Sequence, residues 1–324
     1  MPGPGRAGPY CVRMRAGAVF AIGGAEAKLR RRTVLQAFLT EAGGRGARIA
    51  VIPSASSLGP EVVEVYRAVF TSMGAAEVVE LRPSSRYEAT EELAGRLDGI
   101  SGIFMTGGNQ LKLGAFITGT PFGNAIIEAR ARGAVVGGTS AGASILAEYM
   151  IAFGSGGTTP KQRMSQLAVG LGLVRGAVID QHFEQRNRYG RLLSLVAQSP
   201  SLLGIGIDED TAAVIRDDVL TVVGRGSVTV VDGRHVVSNA YEAKRTAPLL
   251  VSGAVLHVLP AGSAFDLASR SLLAFATPER ELEIEELRAA EADLAGLARE
   301  IAAEGVSPTD YARHLRRTRR AGQA

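Results

Sequence analysis

Between Ala18 and about Asp208, short runs rich in Val, Ile and Ala alternate with longer segments whose apolar residues recur at helical spacing, the pattern of a parallel sheet covered by helices. The runs that predict strands are Ala18 to Ile22, Arg48 to Ile52, Glu77 to Leu81, Gly102 to Met105, Ala134 to Val136, Ala177 to Ile179 and Leu203 to Ile207. Helical periodicity fills intervals such as Lys28 to Glu41 and Glu61 to Ser72, while Pro53, Gly74 and Gly133 stand where a helix cannot continue. After Asp208 the texture changes. Thr/Val-rich runs separated by Asp-Asp, Gly-Arg-Gly and Asp-Gly turn signals predict an antiparallel meander from Thr211 to about Leu259, continuing the same sheet.

Beyond Thr277 the chain is charged and rich in Ala, Glu and Leu. Leu287, Ala290, Leu294, Leu297 and Ile301 share one helical face, over too short a stretch for a coiled coil, and predict a helix that docks on the body or on a partner subunit. Ser307-Pro308 reads as the cap and first position of a last helix, Thr309 to Arg316. The expected fold class is therefore α/β: a mostly parallel sheet flanked by helices on both faces, extended by antiparallel strands. A flexible leader (1–17) precedes the α/β domain (18–277), and a helical C-terminal extension (278–324) follows it.

Composition narrows the function classes. At 324 residues and 46% hydrophobic the chain can bury a large core, yet no apolar run approaches the ~20 residues of a membrane span. Ala18 to Ile22 is too short for the apolar segment of a secretory signal, so a cytoplasmic location is the expectation. The single cysteine, Cys11 in the Gly/Pro-rich leader, excludes an internal disulfide and argues against a cysteine nucleophile. A net charge of +4 owes much to Arg30, Arg31, Arg32 and the tail Arg313 to Arg320, which lacks interleaved aromatics and reads as a solvated face. Neither nucleic acid nor a membrane is an expected partner.

Gly138-Thr139-Ser140-Ala141-Gly142 matches G-x-S-x-G, follows a predicted strand and leads into a helix-like stretch, Ala143 to Met150. Small residues suit a strained turn packed closely between strand and helix. The serine oxygen would be presented at a helix start, where the Ala141 N–H can donate to a developing oxyanion. A second Gly-rich turn, Thr106-Gly107-Gly108-Asn109-Gln110, follows another strand. Its backbone N–H groups, Gly108 among them, can complete an oxyanion hole, and Gln110 can contact substrate.

Of four histidines only His182 follows a strand, within Asp180-Gln181-His182-Phe183, at the sheet edge where Ser140 also lies. His235 and His257 read as structural, and His314 belongs to the basic tail. A neutral imidazole suits a serine hydroxyl near pH 7 and needs an acceptor to hold its tautomer. Asp208, Glu209 and Asp210 follow the next strand, and alternation does not choose among them. The order Ser, His, acid differs from that of ordinary α/β-hydrolases. Arg186, Arg188 and Arg191 lie close behind the histidine and point to carboxylate or phosphate recognition, with a solvated helix face as the plainer reading.

Gly107 to Gln110, Gly138 to Ala143, Asp180 to Phe183 with the three arginines, and Gly206 to Thr211, in that order, resemble the cyanophycinases. These are serine peptidases of the family that includes aspartyl dipeptidases, with a fold like that of class I glutamine amidotransferases. They release β-aspartyl-arginine from cyanophycin, a poly-aspartate with arginine on each β-carboxyl. The resemblance implies Ser140 as nucleophile, His182 as base and Glu209 as triad acid, and it alone selects Glu209 over its neighbours. It also implies substrate roles for Gln110, Asp180, Gln181, Arg186, Arg188 and Arg191. The substrate guanidinium needs an acidic partner, for which Asp180 and Glu184 are the candidates, with the choice left open. The partners so implied are the polymer or a β-aspartyl peptide, and a second copy of the chain. The rivals are a small aspartyl dipeptidase of the same family and a catalytically silent polymer-binding protein. No cofactor is expected: Gly23-Gly24-Ala25-Glu26 is not a dinucleotide fingerprint, no P-loop occurs, and no zinc-ligand spacing is present.

Overall fold

The computed structural model describes residues 15–244 and 246–275. Residues 1–14 of the expected leader and the whole expected 278–324 extension lie outside them. The first half is a series of strands and crossover helices: β1 (Val19–Ile22), α1 (Thr33–Glu41), β2 (Arg48–Ile52), α2 (Glu61–Ser72), β3 (Glu77–Glu80), α3 (Glu91–Gly95), β4 (Gly102–Met105), α4 (Gln110–Ile117), α5 (Pro121–Ala131) and β5 (Val135–Thr139). The second half contains α6 (Ala141–Ser144), β6 (Ala147–Gly154), β7 (Ser165–Val169), β8 (Val174–Gln181), α7 (Tyr189–Gln198), β9 (Leu203–Ile207), β10 (Thr211–Arg216), β11 (Val219–Gly224) and β12 (Ser227–Asp232). Short strands close it: β13 (Val237–Ser238), β14 (Val251–Ser252), β15 (Val255–Pro260), β16 (Ala264–Asp266) and β17 (Ser271–Ala274).

The strands form two large sheets where one was expected. In the nine-stranded sheet, β1, β5, β4, β2 and β3 run parallel, and β10, β11, β16 and β17 extend it antiparallel from β1. The six-stranded sheet has β6, β8 and β9 parallel at its centre, with β12, β15 and β7 antiparallel at its flanks. The meander thus splits: β10 and β11 stay with the first sheet, while β12 and β15 cross to the second. Apolar burial explains the split. Val228 and Val230 of β12 pack with Ile205 and Ile207 of β9 in one core that also holds Val19, Ile52 and Met105 from the facing sheet.

Helices α4 and α5 share that core through Leu113, Ile117, Phe122 and Ile126. On the other face of the first sheet, α1 and α2 close an aromatic cluster of Phe20, Phe38, Tyr66, Phe70 and Phe104. The α/β reading with helices on both faces holds, and the strands are near-continuous apolar runs because both faces are covered.

The expected helix Ala143 to Met150 is corrected. Helix α6 ends at Ser144, and Ala147–Gly154 is a strand pairing with β7 and β8. Ala, Leu, Glu and Met favour helix, but here tertiary pairing in the middle of a sheet outweighs local propensity. At the N-terminal end, the Gly17 N–H donates to the Arg130 carbonyl and Arg130 Nε donates back to Gly17 O, so the chain is fastened just before β1.

Candidate active site

Ser140 stands at the end of β5 with φ 53° and ψ −111°, outside the ordinary regions for a residue with a side chain. Such a backbone costs about 1–3 kcal/mol and persists only where its surroundings hold it. Here the Ser140 N–H donates to Ile22 O at 3.0 Å. The flanking glycines permit the turn: a Cβ on Gly138 would fall 2.2 Å from Gly142 O.

The histidine comes from the other sheet. His182 follows β8 in a left-handed conformation (φ 47°), its N–H donating to Gly23 O at 2.7 Å. The C-terminal edges of β5 and β8 therefore face one another across β1. Ser140 Oγ lies 2.9 Å from His182 Nε2, and His182 Nδ1 lies 2.6 Å from Glu209 Oε1. Gly24 lies against the imidazole: its φ is +105°, and a Cβ there would be 2.3 Å from His182 Cε1.

The neighbours of Glu209 are committed elsewhere. Asp208 accepts from the Glu184 N–H and from Ser227, and Asp210 accepts from the Ala27 N–H. Glu209 is fixed by its own N–H donating to Gln185 Oε1 at 3.0 Å. The remaining histidines lie apart: His235 is exposed, His257 meets the Phe265 ring at a tilt of 59°, and His314 is outside the described residues.

Burial drives the His182 pKa below its ordinary value; the positive charges of Arg186 and Arg188 add to the depression, and Glu209 opposes it through its hydrogen bond. A neutral imidazole between a hydroxyl and a carboxylate can take the hydroxyl proton and pass it to a leaving amine. As the first residue of α6, Ala141 has an N–H without an intrahelical acceptor. Gly108, with φ +143°, sits in the turn beside Ser140; its neighbour Gly107 is so close that a Cβ there would be 3.3 Å from Ser140 Cβ. Both turns can present N–H donors to a carbonyl attacked by Ser140.

The six residues expected to touch substrate separate into two sets. Asp180 is fully buried, and its carboxylate is clamped by Arg188 Nη1 at 3.0 Å, by Arg191 Nε at 2.5 Å and by Arg191 Nη2. Arg191 also donates to Gly154 O, and Arg188 donates to the carbonyl and side chain of Gln181. Asp180 Oδ1 also accepts from the Gln181 N–H, so the bonds this carboxylate makes run to groups within the protein. Arg188, Arg191 and Gln181 spend these donors and acceptors inside the protein, holding the turn that carries His182. Burial lowers the Arg188 pKa to about 10, Asp180 opposing and the neighbouring arginines adding to the shift. Gln110 donates to Ile151 O and Ala152 O, tying α4 to β6. Arg186 alone of the six is exposed, and among the described residues only its N–H is engaged, on His182 O.

One cluster escaped the sequence reading. Glu26 is buried, its Oε2 accepting from Thr139 Oγ1 at 2.5 Å and its Oε1 from Tyr66 OH at 2.5 Å and Lys28 Nζ at 2.9 Å. The signal was Gly23-Gly24-Ala25-Glu26 directly after a strand of the central sheet, which was weighed only as a nucleotide-binding fingerprint. Among the described residues no group of His, Cys, Asp and Glu could hold a metal ion, and no helix is long and apolar enough to cross a membrane.

The family model for Peptidase family S51 matches residues 19–223. A cyanophycinase of Trichormus variabilis is 43% identical over 262 residues, covering 79% of this chain and 87% of the relative. Those of Thermosynechococcus vestitus (42% over 260 residues, 79% and 81% covered) and Geminocystis herdmanii (39% over 252 residues, 76% and 93%) are similar. Among solved structures, a peptidase from an acI-B1 Actinobacterium superposes with a TM-score of 0.59 at 22% identity, over 80% of this chain and all of that one, a likeness of fold.

Proposed function

The chain belongs to peptidase family S51, and from that premise we propose that it is a serine exopeptidase that releases β-aspartyl-arginine from cyanophycin. The observation that carries the proposal is the continuous hydrogen-bonded line from Ser140 Oγ through His182 to Glu209, at 2.9 and 2.6 Å. Ser140 Oγ attacks the scissile carbonyl while His182 Nε2 takes its proton, and the Ala141 and Gly108 N–H groups receive the oxyanion. The C–N bond then breaks as His182 protonates the leaving amine. Water, deprotonated by the same imidazole, releases the acyl group and restores the serine.

Glu209 holds the imidazole tautomer and balances its transient charge. Arg186, exposed beside the histidine, is the guanidinium available to grip a carboxylate of the substrate. Asp180, Gln181, Arg188 and Arg191 serve as positioning residues, and Gln110 sets the wall between α4 and β6. The test is insoluble cyanophycin incubated with the full chain and with Ser140→Ala, the products identified by mass spectrometry. Release of β-aspartyl-arginine by the wild type alone supports the proposal. Hydrolysis confined to soluble aspartyl dipeptides replaces it with the small-peptide reading, and binding of polymer without turnover replaces it with the silent one.

A further inference from the structure

A cleft of about 340 Å³ opens beside Ser140, between the loop before α2 and the turn after β1. Its sides include Leu58, Val62, Val65 and Tyr66, and its polar groups include Lys28 and Glu61. Leu58 and Val65 are 63% and 45% exposed, so the cleft presents apolar surface to solvent next to the nucleophile. Such walls suit the methylene stem of a long cationic side chain, which buries its carbons and keeps a charged head in a polar setting.

The charges decide which head fits. Lys28 is engaged by Glu26, both through the carboxylate and, more loosely, through the carbonyl, and lies 5.2 Å from the Tyr66 ring centroid. Glu26 is spent on Lys28, Tyr66 and Thr139. The other carboxylates around the nucleophile are also committed: Asp180 to two arginines, Asp208 and Asp210 to backbone donors, Glu209 to His182. Glu61, exposed at the first position of α2, has no ion pair among the described residues and lines this cleft; Glu184 does not line it.

We infer that Glu61 is the specificity-determining acceptor for a substrate guanidinium, with the arginine stem of a unit flanking the scissile bond lying on Val62, Val65 and Tyr66. The inference rests on the peptidase reading of Ser140 and moves the guanidinium partner from Asp180 or Glu184, where the sequence pointed, into the cleft that Ser140 lines. A planar guanidinium can pair with both carboxylate oxygens, whereas a neutral isostere keeps the shape and loses the charge-assisted bonds.

The experiment uses full-length Ser140→Ala protein, which cannot turn over its ligand, titrated calorimetrically with β-aspartyl-arginine and with β-aspartyl-citrulline. The arginine peptide should bind about tenfold more tightly, and Glu61→Gln in the same background should bring the two to within about twofold of each other. Glu61 is exposed, so the variant is expected to fold, and its unchanged melting temperature checks that it does. Equal binding of the two peptides, no binding of either, or a preference that survives Glu61→Gln overturns the inference. Polymer turnover by the wild type is scored separately. Turnover with a preference indifferent to Glu61 sinks only this inference, and a Glu61-dependent preference without turnover sinks only the cyanophycin reading.

Discussion

The two sheet edges that meet at the site are built on different principles. At the end of β5 the proposed nucleophile is placed by backbone: a strained Ser140 in a glycine-rich turn, with hardly a charge involved beyond Glu26 behind Thr139. At the end of β8 His182 also has a left-handed backbone, but its turn rests on charge, through one buried carboxylate holding two buried guanidiniums beneath it. Backbone strain places an atom accurately and costs stability, whereas a buried ion cluster fixes a turn and becomes destabilising only when broken. Substitutions at Ser140 and its turn should therefore remove activity and spare the fold, and substitutions in the buried Asp180–Arg188–Arg191 cluster should do the reverse.

Ser140 gives the largest effect. Ser140→Ala should lower kcat about 10⁶-fold with its melting temperature unchanged. Ser140→Gly should lose as much activity while gaining about 1 kcal/mol in a denaturant titration, because glycine adopts φ 53° without strain. A Ser140→Gly protein less stable than wild type would show that the elbow is relaxed and break the comparison at its first term. Gly24→Ala comes next. The added methyl occupies the place of the His182 ring edge and should shift the imidazole by about an ångström, costing roughly 10²-fold in kcat. Far-ultraviolet circular dichroism should be unaltered.

These two edges were also unequally legible in the sequence. G-x-S-x-G after an apolar run is a local pattern that a tightly packed turn would also show, and its place after a strand, like that of His182, is what marked Ser140 as a candidate. The Arg186, Arg188 and Arg191 cluster read as one group because sequence proximity does not reveal direction. Arg188 and Arg191 turn inward to Asp180, while Arg186, two residues before Arg188, faces out. Glu209 was separable from Asp208 and Asp210 only by resemblance, since the hydrogen bonds that commit its neighbours come from Ser227, Glu184 and Ala27, distant in sequence. The strand Ala147–Gly154 was hidden by helix-favouring composition, and the second sheet by a meander whose strands look alike in sequence but pair with different partners.

Asp180→Ala tests the charged edge. It leaves two guanidiniums buried without a counter-charge and should cost about 3–5 kcal/mol, a fall of roughly 10 °C in melting temperature for a chain of this size. At temperatures where the variant stays folded its kcat should fall far less than that of Gly24→Ala. A variant as stable as wild type but inactive would mean that Asp180 acts on substrate, and the division between the edges would fail.

Arg186 gives the smallest and most specific effect, because it belongs to the charged edge but is not part of its buried cluster. Its positive charge helps to hold the His182 pKa below the ordinary value near 6.5. As the proposed base His182 must be neutral to act, so activity should be lost as pH falls through that lowered pKa, and the acid limb of kcat/KM should lie below about pH 6.5. Removing the charge in Arg186→Gln raises the His182 pKa toward its ordinary value, and the limb should move upward. Arg186→Lys keeps the charge and should keep the limb, even where loss of the planar fork raises KM for a carboxylate-bearing substrate. A uniform drop in kcat/KM for Arg186→Gln with the limb unmoved would assign Arg186 to substrate alone. A limb that moves downward would contradict the sign of the interaction, since withdrawing a nearby cation can only make the imidazolium easier to form.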